Sequence, residues 1–213
     1  EGFKSLENIK KTKNELYQYI KKTNGIIIAN NLDPVLLKLV QNYEKTIFYN
    51  CIPLSNNNNI TNDVFYFSCT PFIKLYFQKL QIQTKILGNY NAQNIVASIT
   101  TANQFSIKTK DIINELKKFE LKNNRSQFIN TKYNTVILDA YNSNPTSLNI
   151  AIRNFFDFSK IKKSKDSLII LGDMLELGVH TQKYHQEIVY LLEKLEFKNC
   201  ILIGENFQKT ELT

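Results

Sequence analysis

Apolar residues recur at Leu6, Ile9, Leu16, Tyr17 and Ile20, a spacing that lines one face of a helix over residues 5–22. Ser5, with acids nearby, suits its start. "GIIIAN" (25–30) predicts a short buried strand, and "DPVLLKLVQNY" a helix with Pro34 in its first turn. "KTIFYN" predicts another strand. The polar run "SNNNNITND" (55–63) predicts a loop, and "VFYFSC", "FIKLYF" and "QIQTKIL" predict β-rich segments. Residues 91–105 and 108–119 return to helical spacing, the second amphipathic.

After "ELKNNRS" the pattern changes. "TVILDA", "SLIILGD" and "NCILIGE" are short, continuous apolar runs, separated by helical stretches at 145–158 and 181–196. Apolar strands alternating with helices predict a mainly parallel sheet covered on both faces. The fold class is therefore α/β. The change of pattern places a domain boundary near residues 119–124, dividing the chain into 1–120 and 121–213.

Each of the three late strands ends in an acid: Asp139, Asp173 and Glu205. Parallel strands present their carboxyl ends on one edge, where open α/β sheets bind ligands, so the acids are expected to gather there. Acids at such turns also satisfy backbone amides. That reading suffices for Glu205, and it stands level with substrate contact for Asp173 and Glu176. At Asp139 it falls short, because "ILDAYNSNPTS" (137–147) adds Tyr141, Asn142 and Asn144. Asn144 and Pro145 fit a helix cap and first helical position. Capping leaves Tyr141 and Asn142 unexplained. His180 and His185 have no acid or cysteine at catalytic spacing and read as partly exposed helix residues.

Composition narrows the class. With 43% hydrophobic and 22% charged residues, the 213-residue chain is an ordinary globular sequence. No apolar run approaches the roughly 18 residues that span a bilayer, and no signal peptide is visible. A cytoplasmic protein without membrane insertion is expected. Cys51, Cys69 and Cys200 are scattered without metal-ligand spacing and read as reduced core residues. The net charge of +8 is spread along the chain with no basic-aromatic motif, so it predicts solvated lysines and no nucleic-acid partner.

Five segments carry a family resemblance. "EGFKSLENIKKTKNELY" (1–17), "LGNYNAQNIVAS" (87–98), "NNRSQ" (123–127), "DAYNSNPTS" (139–147) and "LGDMLELG" (171–178) resemble, in order and spacing, motifs of the Mur ligases. The resemblance covers nearly the whole chain, and five motifs in register are far more specific than one. It is nearest to the branch that joins D-alanyl-D-alanine to UDP-N-acetylmuramoyl-tripeptide in peptidoglycan precursor synthesis. What it implies is an ATP-dependent ligase working through an acyl phosphate, with Mg²⁺. It implies the latter part of a central ATPase domain over 1–120 and an incomplete Rossmann-like C-terminal domain over 121–213. A monomer is expected.

The resemblance also assigns residues. Lys13 matches a lysine that adds carbon dioxide, and the carbamate gives Mg²⁺ an oxygen ligand. Read locally, Lys13 is one more exposed helix lysine beside Lys10 and Lys11. Asn91 and Asn94 match asparagines that contact adenine, their amides donating and accepting on one helix face. Locally, Asn91 reads as a cap and Asn94 as a solvated surface residue. Arg125 matches the arginine that reaches the ATP phosphates, a role suited to a planar guanidinium. Its alternative is a surface arginine beside a linker. Asp139 matches the acid that holds the ribose, and Tyr141 and Asn142 match residues of the same cleft.

No G-x-x-x-x-G-K-[ST] occurs in the chain; its glycines are Gly2, Gly25, Gly88, Gly172, Gly178 and Gly204. The resemblance places that phosphate-binding loop upstream of Glu1, so the chain is expected to be a piece of a longer protein and inactive alone. A different Mur enzyme, folylpolyglutamate synthase, or a non-catalytic remnant that binds nucleotide remain as alternatives.

Overall fold

The serine expected to start the first helix does so: the Ser5 hydroxyl accepts the Asn8 N–H at 3.2 Å, and α1 runs Leu6–Lys22. A computed structural model describes residues 5–55, 64–69, 71–77, 80–162 and 166–211. Most of the loop expected at 55–63 lies outside the described residues. The chain divides into two compact units, Gly2–Glu120 and Leu121–Thr213.

In the first unit, β1 (Ile27–Asn30) pairs in parallel with β2 (Thr46–Tyr49), joined through α2 (Pro34–Val40). Asp33 caps α2 by accepting the Val35 and Leu36 N–H groups, with Pro34 at the first helical position as expected. Strands β3 (Cys51–Pro53), β4 (Phe65–Cys69), β5 (Phe72–Phe77) and β6 (Leu80–Leu87) form a second sheet in that order. Its β3–β4 pair is parallel and the rest antiparallel. Helix α3 (Asn91–Gln104) packs on β1, β2, β3 and β5, and α4 (Thr109–Lys118) on β6. The buried stripe of α3 is Ala92, Ile95, Val96 and Ile99, the three-and-four spacing of one helix face. Burying Ile95, Val96 and Ile99 contributes roughly 1.5–3 kcal/mol each relative to exposure.

In the second unit, β7 (Gln127–Asn130) and β8 (Thr135–Leu138) form an antiparallel hairpin, with Gln127 opposite Leu138. Its turn is closed by Thr131, whose N–H donates to the Asn134 carbonyl and whose hydroxyl accepts the Asn134 N–H. Helix α5 (Pro145–Ile161) follows, with a reciprocal cap between Asn144 and Ser147. Strands β9 (Ile169–Gly172) and β10 (Cys200–Ile203) pair in parallel around α6 (Thr181–Lys194), and α7 (Glu205–Gln208) ends the described chain. Ile152, Ile169, Met174, Ile188, Val189, Leu191, Leu192 and Phe207 make the core.

The late strands differ from expectation in two respects. β8 pairs with β7 and not with β9 or β10 among the described residues, so Asp139 is not on the sheet edge that carries Asp173 and Glu205. Among the described residues these strands also leave one face open, with Val136 on β8, Ile170 on β9 and Ile201 and Ile203 on β10 exposed, so the expected cover on both faces is not found. An apolar run specifies neither a strand's hydrogen-bonding neighbour nor what covers each face. The fold as a whole is mixed α/β. No described helix is long and apolar enough to cross a membrane.

Candidate active site

The β7–β8 hairpin decides what surrounds Asp139. Continuing its register one rung beyond Gln127 and Leu138 sets Ser126 opposite Asp139, with Arg125 beside the turn that holds Tyr141. The Asp139 carboxylate accepts the Ser126 N–H and the Ser126 hydroxyl, both at 3.1 Å. The Ala140 N–H donates to the Asn124 carbonyl at 2.8 Å. Arg125 is exposed, and its guanidinium carbon lies 3.7 Å from the centre of the Tyr141 ring. That is a cation–π stack, worth roughly 0.5–1 kcal/mol at an exposed site. Tyr141 keeps 61% of its surface exposed, so both groups of the stack remain open to a ligand.

Of the residues singled out in the sequence, the second unit thus brings Arg125, Asp139 and Tyr141 together. Asn142 follows Tyr141 in sequence, its amide oxygen accepting the N–H of the next residue, Ser143, at 2.9 Å. Ser126 escapes the sequence reading as a partner, because that reading does not take "QFIN" as a strand. The signal is there: a β-rich "QFIN" and "TVIL" separated by the polar "TKYN" is a hairpin pattern.

In the first unit, Asn91 and Asn94 share the first turn of α3. Asn91 is buried, donates its amide to the Leu87 carbonyl at 2.8 Å, and accepts from the Asn94 amide at 3.2 Å. The Asn91 amide is therefore used to hold the helix start, and Tyr90 is the capping position. Asn94 is exposed, and its amide nitrogen is the donor to Asn91. Lys13 is exposed on α1, one turn beyond the Glu7–Lys10 ion pair. Among the described residues no three His, Cys, Asp or Glu side chains come together as a metal site. Lys13 alone does not make a Mg²⁺ site.

Asp173 has a different occupation. Its carboxylate accepts the N–H groups of Asn206 and Phe207, at 2.9 and 3.0 Å, and the Asn206 amide at 2.9 Å. It caps α7 across 33 residues of sequence. Burial pushes its carboxyl up, but these donors outweigh that and hold it below the ordinary carboxylate value. Glu205 is the exposed first residue of α7, and Glu176 is exposed at a left-handed turn position, φ 63°.

His185 corrects the sequence reading. It is fully buried, not partly exposed. It lies on the α6 face that also buries Ile188, Val189 and Leu192, where its spacing, not its polarity, decides its place. Its Nε2 accepts the Met174 N–H at 3.0 Å, and its Nδ1 faces the Thr181 carbonyl at 2.7 Å. One nitrogen accepting and one donating is the neutral imidazole, so its 3.5 Å approach to Asp173 is not an ion pair. His180, on the turn before α6, is exposed.

The chain as a whole has known relatives. The Mur ligase middle domain matches residues 1–102, and the Mur ligase glutamate ligase domain matches residues 124–212. The chain belongs to the Mur ligase family. A UDP-N-acetylmuramoyl-tripeptide–D-alanyl-D-alanine ligase of Buchnera aphidicola subsp. Baizongia pistaciae is 30% identical over 207 residues, covering 96% of this chain and 44% of that protein. The Rickettsia prowazekii ligase of the same name is 26% identical, over 91% of this chain and 43% of that one. Among solved Mur ligase structures, MurF from Acinetobacter baumannii superposes with a TM-score of 0.70 at 18% identity, covering 94% of this chain and 42% of that chain. MurF from Thermotoga maritima in complex with ADP gives 0.68 at 20% identity, covering 95% and 49%. The chain thus spans under half the length of these Mur ligase relatives.

Proposed function

We propose that the whole protein joins D-alanyl-D-alanine to UDP-N-acetylmuramoyl-tripeptide at the expense of ATP. The observation that carries this is the Arg125–Tyr141 stack at the end of β8, in a chain whose relatives bear that ligase name over nearly its full length. Residues 1–120 are the latter part of a central ATPase domain, and 121–213 belong to the C-terminal ligase domain. The γ-phosphoryl group passes from ATP to the terminal carboxylate of the peptide, giving an acyl phosphate and ADP. The amine of D-alanyl-D-alanine then attacks the acyl carbon, phosphate leaves, and the nitrogen loses a proton as the amide forms.

Phosphoryl transfer is largely positioning and charge stabilisation, which gives this chain's residues their roles. Arg125 contacts the transferring phosphates, stacked on Tyr141. Asn94 reads the purine edge with its exposed amide, from a helix start that Asn91 holds. Asp139 and Asn142 contact the ribose from the end of β8. Lys13, as a carbamate, would offer one oxygen ligand to Mg²⁺, which when bound would offset charge on the phosphates.

The test is incubation of the whole protein with ATP, D-alanyl-D-alanine and UDP-N-acetylmuramoyl-tripeptide, followed by mass analysis and phosphate release. A product heavier by the dipeptide less water, with stoichiometric phosphate, supports the proposal. A second branch has its own support, since a UDP-N-acetylmuramate–L-alanine ligase of Wigglesworthia glossinidia brevipalpis is 37% identical over 92 residues. Coupling of L-alanine to UDP-N-acetylmuramate, with no dipeptide addition, would move the protein to that branch.

A further inference from the structure

Ser126 is a polar residue on a loop, yet only 6% of it is exposed. Its φ of 43° lies in the left-handed region, as do the 58° values of Asn123 and Asn124. Asparagine visits this region readily because its side chain bonds locally; serine has less reason to be there. Such a conformation persists when its surroundings over-determine it. Here Asp139 does so, with one carboxylate oxygen on the Ser126 N–H and the other on its hydroxyl. On the other side of Arg125, the Asn124 carbonyl is tied to the Ala140 N–H. The loop is fastened to the end of β8 on both flanks of Arg125, whose guanidinium carbon lies 3.7 Å from the centre of the Tyr141 ring.

We propose that Ser126 is a positioning residue, whose paired bonds to Asp139 hold Arg125 against Tyr141 in the orientation that phosphoryl transfer requires; this rests on the ligase reading above. Asp139 then acts through the loop with one lone pair on each oxygen.

Ser126→Ala in the whole protein removes the hydroxyl bond and leaves the amide bond. The expected result is a loss in kcat of about tenfold, short of the roughly 10²-fold that a 1 Å misplacement can cost. The KM for ATP should move by less than about twofold, because the loss falls on the transition state. In an Arg125→Ala background the same change should alter kcat by less than about twofold, since no guanidinium is left to position. Ser126→Gly relieves the left-handed backbone but also lacks the hydroxyl, so it should raise the melting temperature and still lower kcat. An equal kcat loss in both arginine backgrounds, or no loss in either, overturns the proposal. Selective ¹⁵N-arginine labelling gives a readout independent of turnover. The Arg125 Nε–H signal, identified by its disappearance in Arg125→Ala, should carry a ring shift in the wild type and lose it in Ser126→Ala. An unchanged signal overturns the positioning role even if the wild type fails to ligate, a failure that by itself would sink only the ligase reading.

Discussion

A Cβ placed on Gly204 would lie 2.2 Å from the carboxyl carbon of Asp173, so the pair leaves no room for any other residue at 204. The glycine also holds φ +127°, which L side chains rarely adopt. The close approach lets the Asp173 carboxylate reach the N–H groups of Asn206 and Phe207.

Gly204→Ala should therefore destabilise the unit formed by residues 121–213 by at least ~1–3 kcal/mol, the range for overpacking a fitted site. Thermal melting of the variant checks this. A melting temperature equal to wild type would mean that the strand end yields freely and that Asp173 is not a fitted cap.

Asp173 also sets an acid dependence. Its folded-state carboxyl lies below the ordinary value because hydrogen-bond donors outweigh its burial. The unfolded chain then binds the proton more readily. The stabilisation is complete above the unfolded value, about 3.9, and is lost as pH falls from there through the folded value. Asp173→Asn should be less stable at neutral pH, since it presents an amide to donors. The gap to wild type should narrow below about pH 4. Denaturant midpoints across pH measure it, and a gap of constant size would exclude the carboxylate as its source.

Arg125→Ala in the whole protein should lower kcat by roughly two to three orders of magnitude, the range for losing one preorganised donor. Arg125→Lys should recover little, because an ammonium has neither the planar fork nor the flat face that stacks on Tyr141. Tyr141→Phe keeps the ring and should stay near wild type, whereas Tyr141→Ala should fall between wild type and Arg125→Ala. Steady-state kinetics with ATP varied decides this, and a phenylalanine variant as poor as alanine would show that the hydroxyl, not the stack, matters.

Lys13 is where local structure and family resemblance pull apart. On α1 it is exposed, as a replaceable surface lysine would be. As a carbamate it must add carbon dioxide and become an anion, which a nearby metal and bound phosphates would favour. Lys13→Ala should abolish ligation in the whole protein, with partial recovery when a short carboxylic acid is added. Lys13→Arg keeps the charge but forms no carbamate and should be equally inactive. Wild-type turnover in the arginine variant would leave Lys13 as a surface residue.

The cysteines should react in order of burial. Cys51 keeps 1% of its surface exposed, and desolvation pushes its thiol up to about 12, so it holds little thiolate at neutral pH. Cys69 and Cys200 are raised by the same cause but are only half-buried. Under native conditions a thiol reagent should label these two first and Cys51 only on unfolding, as peptide mass mapping would reveal. Early labelling of Cys51 would mean that β3 opens locally.

The sequence by itself determined the elements whose causes are local. The helical stripe and Ser5 cap of α1, the Asp33–Pro34 start of α2 and the Asn144–Pro145 start of α5 are written within a few residues of where they act. Five spaced motifs likewise carried the family, and with it the candidate residues Arg125, Asp139 and Tyr141. Only the tertiary structure decided what those residues touch. Ser126 meets Asp139 because a hairpin register aligns positions 13 apart, and Asp173 caps a helix 33 residues downstream because β9 and β10 run side by side. His185 is buried because packing claimed the whole face of α6 on which its spacing placed it. Periodicity encodes which face a residue occupies; the partner it finds there depends on chain segments that periodicity does not relate.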